Sequence, residues 1–258
     1  MSDSQHLLQS VEHGIATLTL NRLSAHNAFD ASLIRALQTA LDQLATDPTV
    51  RLLKITANGK FFCAGGDLHW FKNATQLSPP ENRADAALLA GLLRTLNQFP
   101  KPTLAVIQGP AFGGGVGLIA CCDIAVAAQS AAFALSEVKL GLVPATIAPY
   151  VLRAIGARQL RRYALTAEMF TAHDAQRMGL VHTVVEDSAL SHTTEALAAT
   201  LLRNGPIAMT TTKRLVEELS VVAAGELEKT AELLAQIRVS HEAQEGLTAF
   251  FEKREAVW

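Results

Sequence analysis

The chain has 258 residues, of which 49% are hydrophobic and 18% charged, with a formal net charge of −2. That length suits one large core with a smaller appendage, and the near-zero charge excludes a nucleic-acid binder steered by a basic field. So low a charge fraction leaves little polar surface for a small monomer and points to surface buried between subunits.

Taken in chain order, residues 1–10 are polar and carry no apolar signal segment. Residues 15–20 alternate and are rich in β-branched side chains, so they predict a strand. Residues 21–27 form a loop. Asp30 stands as a helix N-cap before Leu33, Ile34, Leu37, Leu41 and Leu44 at helical spacing, and Asp47-Pro48 ends that helix. Residues 50–56 make a second strand and Asn58-Gly59 a turn. Strand, helix and strand in this order give a right-handed parallel crossover. Residues 72–85 are polar and contain Pro79-Pro80, which predicts a mobile surface loop. A helix over 86–99, a buried strand over 103–108, an Ala-rich helix ending at Cys122 and a short strand over 123–128 follow. From Pro149 onward the pattern is helical. The whole is α/β, with a core over 1–200 and a helical C-terminal region over 201–258.

The apolar run over 119–128 is broken by Asp123 and too short to span a bilayer. Arg158, Arg161 and Arg162 suit a solvated helix face. Cys63, Cys121 and Cys122 form an odd set with two neighbours, so no disulfide framework is expected and a reducing, cytoplasmic setting is. Cys63 lies beside a glycine turn but has no identifiable base, and reads as a packed core thiol. His13, His26, His69, His173 and His182 lack metal-ligand spacing, so no metal is expected.

Two glycine-rich turns can carry chemistry: Cys63-Ala64-Gly65-Gly66-Asp67-Leu68, and Phe112-Gly113-Gly114-Gly115-Val116-Gly117. Without Cβ atoms their amides can approach a ligand closely, and two such turns together would aim a pair of N–H groups at one oxygen. Either turn alone equally suits close packing of a helix on a strand. Neither fits a nucleotide site, because the second lacks the Lys-Ser/Thr ending of a phosphate loop and the first lacks dinucleotide spacing. Glu137 sits in an otherwise apolar segment. Burial would raise its pKa and suit an acid/base near neutrality, while a surface Glu paired with Lys139 or an Arg is equally compatible with the sequence.

Together and in this order, these motifs resemble the crotonase (enoyl-CoA hydratase/isomerase) superfamily. The likeness runs through Asn21-Arg22, Asn27-Ala28-Phe29, Ala64-Gly65-Gly66-Asp67-Leu68, Lys101-Pro102, Gly113-Gly114-Gly115, Cys122-Asp123-Ile124, Ser136-Glu137, Gly141-Leu142-Val143-Pro144, Gly179-Leu180-Val181 and Glu252-Lys253-Arg254. It implies a spiral of ββα units with a helical C-terminal region that builds trimers, which pair into hexamers. It implies hydration of an enoyl-CoA, with Gly66 and Gly114 as the oxyanion hole and Glu137 as acid and base. Coenzyme A arrives as part of the substrate, and no separate cofactor is expected. Ser24 would stand near the CoA entrance, Ala64 and Leu68 would line its path, and Ala145 would sit beside the catalytic water. Phe250 and Lys253 of a neighbouring subunit would contact the nucleotide.

The sequence departs from the family at position 117, where a second glutamate is usual and glycine stands here. The segments Asp67-Leu68-His69-Trp70-Phe71-Lys72 and Arg161-Arg162-Tyr163 further resemble a bacterial methylglutaconyl-CoA hydratase subgroup serving leucine and acyclic terpene breakdown. Gly117 would then open space and remove charge for a branched substrate with its own distal carboxylate, which Lys72, Arg83 or His69 would meet. Two alternatives stand beside this: another crotonase reaction such as double-bond isomerisation, or a homologue that only binds CoA esters or RNA.

Overall fold

The structure, a computed structural model, describes residues 6–219, 231, 232, 234–236 and 238–254. The expected helical run through 220–230 lies outside the described residues. A six-stranded sheet carries the fold, in the order β1 (Leu7–Glu12), β2 (Ile15–Leu20), β3 (Leu52–Ala57), β4 (Thr103–Ile107), β6 (Ile124–Ala128) and β9 (Thr183–Val185). A smaller sheet holds β5 (Ala111–Phe112), β7 (Ala132–Ala134) and β8 (Phe170–Thr171). Apart from the β1–β2 hairpin, every pairing in the large sheet is parallel.

The chain visits the two sheets alternately. β4 leads to β5 and then helix α4 (Gly114–Ala120), and β6 leads to β7 and then helix α5 (Ala148–Thr166). Each turn therefore adds one strand to each sheet and one helix outside, which is the expected spiral of ββα units. β2, α1 (Ala31–Thr46) and β3 form the expected parallel crossover, with Ile15 opposite Leu52 and Leu20 opposite Ala57. Asp30 caps α1 by accepting from the Leu33 N–H at 2.8 Å, and Lys101 Nζ closes its other end by donating to the carbonyls of Leu44 and Asp47. Leu33, Ile34, Leu37, Ala40, Leu41 and Leu44 are buried, so one apolar stripe of α1 faces the core.

Three expectations need correction. Residues 72–85 are mostly helical: α2 spans Leu68–Ala74 and α3 spans Pro79–Asn97. Pro79 and Pro80 occupy the first turn of α3, where a missing N–H costs nothing, and Glu81 accepts from both the N–H and the hydroxyl of Ser78. Within the stretch expected to be almost entirely helical, β8 and β9 interrupt the helices, β9 extending the large sheet beside β6. At the start, where the sequence reads only as polar, Leu7–Glu12 is an edge strand; it alternates poorly because only Leu7 is buried. Helices α6 (Ala172–Met178), α7 (Leu190–Arg203), α8 (Pro206–Leu219) and α9 (His241–Glu252) complete the described chain, and α7 runs through residue 200.

Candidate active site

Arg22 organises the entrance. Its guanidinium donates to Asp67 Oδ2 at 2.5 Å and meets Asp30 Oδ2 at 3.1 Å, while Asp67 accepts from the His69 N–H at 2.7 Å. One cation thus ties the caps of α1 and α2 together and fixes the first glycine turn between them. Burial works to raise the Asp67 carboxyl pKa, but Arg22 and the His69 amide hold it below its ordinary value.

The first turn is pinned on Phe29. Phe29 N–H donates to Gly65 O at 2.7 Å and Asp67 N–H donates to Phe29 O at 2.8 Å. In this parallel bridge the bonds go to residues 65 and 67, which leaves the intervening Gly66 N–H facing away from Phe29. The second turn packs against the first: Phe112 N–H donates to Cys63 O at 2.9 Å, and a Cβ at Gly65 would lie 3.0 Å from Phe112 O. Gly113 adopts φ +46°, and Gly114 opens α4. No described residue accepts a hydrogen bond from Gly66 N–H or Gly114 N–H.

Glu137 follows β7 on a short 3-10 turn, Glu137–Leu140. A Cβ at position 113 would stand 2.8 Å from Glu137 Oε1, so the carboxyl group lies directly against the second glycine turn. Oε2 is buried with no hydrogen-bond partner among the described residues, and burial pushes the carboxyl pKa up to about 7. The alternative of a surface ion pair falls, because Glu137 forms no salt bridge among the described residues and Lys139 is exposed.

One cleft of about 570 Å³ contains Gly66, Gly114 and Glu137, together with the expected residues Ser24, Ala64, Leu68 and Phe250. A larger groove of about 1040 Å³ lies elsewhere and touches neither glycine turn nor Glu137. Phe250 lines the cleft from α9 of the same chain. Lys253 ends α9 as an exposed residue with φ +55° and does not line the cleft. Ala145 is buried among Ala86, Leu234 and Ala235 behind the cleft wall, while Pro144, Thr146 and Ile147 line it.

Gly117 is not a liner either. The expectation that glycine there opens space is overturned, because Ile147 fills it: a Cβ at 117 would lie 2.2 Å from Ile147 Cγ2. Among the proposed cations, Arg83 pairs with Glu232 on the surface, and Lys72 Nζ lies 4.9 Å from the centre of the ring of Phe251, a cleft residue, without lining the cleft itself. His69 does line it. Sequence reasoning missed Ile147, Phe71 and Arg238, all cleft liners. Arg238 left one signal, as a single charge in the apolar stretch Leu233-Leu234-Ala235-Gln236-Ile237-Arg238-Val239. Cys63 is a core thiol, buried and pushed up to about 12.

A family model described as enoyl-CoA hydratase/isomerase matches residues 10–258. The 2,3-dehydroadipyl-CoA hydratase of Escherichia coli is 32% identical over 96% of this chain and 96% of its own length. The crotonyl-CoA hydratase of Syntrophomonas wolfei is 32% identical over 98% of this chain and 97% of its own. A crystal structure of an enoyl-CoA hydratase from Shewanella pealeana superposes with a TM-score of 0.81 at 44% identity, covering 98% of this chain and 96% of that one. Matched along nearly its whole length, with both glycine turns and the buried glutamate in one cleft, the chain belongs to the crotonase (enoyl-CoA hydratase/isomerase) superfamily.

Proposed function

We propose that this chain, a hydro-lyase of the enoyl-CoA hydratase type, adds water across the C2=C3 bond of a branched, glutaconyl-type enoyl-CoA. 3-Methylglutaconyl-CoA or a longer isoprenoid-derived analogue would be its substrate, in leucine or acyclic terpene breakdown. The carrying observation for the hydration chemistry is the placement of Glu137 Oε1 against Gly113, one residue from the Gly114 amide and in the same cleft as Gly66. The acidic-substrate reading draws on the subgroup likeness and on the name of the Escherichia coli relative, whose substrate carries a second carboxylate.

The thioester oxygen accepts from the Gly66 and Gly114 N–H groups, which draws electron density from C3. Water attacks C3 and loses a proton to Glu137. The C=C electron pair passes into the enolate held by the two amides, and Glu137 returns a proton to C2. Dehydration uses the same groups in reverse. Three thiols without disulfides suit a reducing compartment such as the cytoplasm. Assembly as a trimer, or as a pair of trimers, would cover the exposed Leu165, Met169 and Ile207.

A second reading, double-bond isomerisation, is favoured by Ile147, which puts an apolar wall where a water-holding carboxylate would otherwise stand. Mixing the protein with 3-methylglutaconyl-CoA and with crotonyl-CoA, and following loss of the conjugated thioester absorbance, tests both. Rapid loss with a hydroxyacyl product, abolished by Glu137→Gln, supports hydration. A shifted double bond without added oxygen sinks it in favour of isomerisation.

A further inference from the structure

Arg238 is 1% exposed, yet it lines the catalytic cleft. It is the only Arg or Lys among the described residues that does so. A guanidinium this deep needs an anion, and Asp85 supplies one: Arg238 Nη1 donates to Asp85 Oδ2 at 2.6 Å. Asp85 is itself held by Trp70, whose Nε1 donates to Oδ1 at 2.8 Å. The guanidinium carbon lies 5.1 Å from the Trp70 ring centre and 5.3 Å from that of Phe71. Arg238 is therefore fixed in position by one carboxylate and two aromatic rings.

The arrangement leaves donor capacity over. Arg238 Nε is buried and has no hydrogen-bond partner among the described residues. Phe71 connects this spare donor to the reaction centre, because a Cβ on Gly66 would lie 2.2 Å from Phe71 Cζ. One ring therefore separates the guanidinium from the oxyanion glycine. The cleft that it lines also presents the apolar side chains of Leu234, Val143 and Ile147. An unmatched N–H in such surroundings costs free energy unless an acceptor arrives, and a planar fork of donors suits a carboxylate.

We infer that Arg238 is the specificity residue that receives the distal carboxylate of the acyl chain, with Asp85 and Trp70 holding it in place. This rests on the reading of an acidic acyl-CoA substrate, and it replaces Lys72 and Arg83 as the receiving cation. Asp85 balances the guanidinium in the empty cleft, and the substrate's carboxylate becomes its second anion.

The test compares two thioesters of equal chain shape, 3-methylglutaconyl-CoA and 3-methyl-2-pentenoyl-CoA, which differ only in a terminal carboxylate against a methyl group. The readout is the ratio of their kcat/KM values. The native protein is expected to favour the diacid, and Arg238→Met to lower the ratio by about ten- to hundredfold, the worth of one charge-assisted hydrogen bond. Arg238→Lys is expected to recover part of it. Asp85→Asn, which removes the competing anion, is expected to raise it. If the native protein shows no preference for the diacid, the acidic-substrate reading fails and this inference with it. If the preference is present but survives in Arg238→Met, or if both substrates fall equally, Arg238 does not read the carboxylate and the substrate reading stands. Should Arg238→Met fail to fold, an unchanged ratio in both Arg238→Lys and Asp85→Asn overturns the inference.

Discussion

Ile147 Cγ2 lies where a side chain on residue 117 would begin, 2.2 Å from a Cβ built on Gly117. Ile147 immediately precedes α5, Gly117 sits in the middle of α4, and both are buried. The missing second glutamate is therefore not a hole. Its place is packed with hydrocarbon, and any side chain at position 117 would have to displace Ile147.

Gly117→Glu is consequently expected to cripple the protein rather than restore a second carboxylate. Overpacking a core typically costs about 1–3 kcal/mol, and a carboxylate without a partner adds to that. A drop in denaturant midpoint and no gain in crotonyl-CoA hydration are the expected results. A wild-type midpoint would show that Ile147 moves aside freely and would sink the packing argument.

The Glu137 carboxyl, pushed up to about 7 by burial, sets the pH behaviour. Hydration needs it ionised at the outset, so kcat/KM is expected to rise with pH through about 7 and then level off. Stability runs the other way. Below about 4.5 both folded and unfolded chains hold the proton; between there and about 7 only the folded chain does, so stability falls as pH rises. Above that the penalty is constant, on the order of 3 kcal/mol. Glu137→Gln is expected to lose on the order of a hundredfold to ten-thousandfold in rate and to gain in Tm over wild type at pH 8 but not at pH 4. An equal Tm difference at both values would mean that the group does not titrate as described.

Ser78 and Glu81 form a closed pair at the start of α3, with Glu81 Oε2 accepting from the Ser78 N–H at 2.8 Å and from its hydroxyl at 2.6 Å. Ser78→Ala is expected to cost about 1 kcal/mol. Glu81→Ala should cost a similar amount, and the double variant less than the sum, since one box is lost in either case. Strict additivity in denaturant unfolding would show that the two residues act independently.

What the sequence revealed and what it hid divide along physical lines. Asp30, the α1 stripe, both glycine turns and Glu137 were legible because each is a local pattern: a cap, a period, a run without Cβ atoms, a charge among apolar neighbours. The Pro79-Pro80 pair was misleading because proline opens a helix as readily as it breaks one, and only the Ser78–Glu81 spacing distinguishes the two. β8 and β9 are short and owe their existence to pairing with distant strands, as when His182 N–H donates to Ala125 O at 2.9 Å. Ile147 against Gly117 and Arg238 against Asp85 are contacts across 30 and 153 positions of chain. No window of sequence contains either.

The contact between Glu137 and Gly113 has a consequence for how such an enzyme changes its diet. The groups proposed as acid/base and amide pair belong to consecutive turns of the spiral, and backbone ties the turns together, Gly113 N–H donating to Ala134 O at 2.9 Å. The far wall, with Leu234, Arg238 and Phe250, comes from the C-terminal helices. The proposed reaction centre and the proposed recognition wall thus come from separate parts of the chain, so exchange of a few wall residues is expected to change the preferred substrate while the geometry of the glycine turns and Glu137 stays as built.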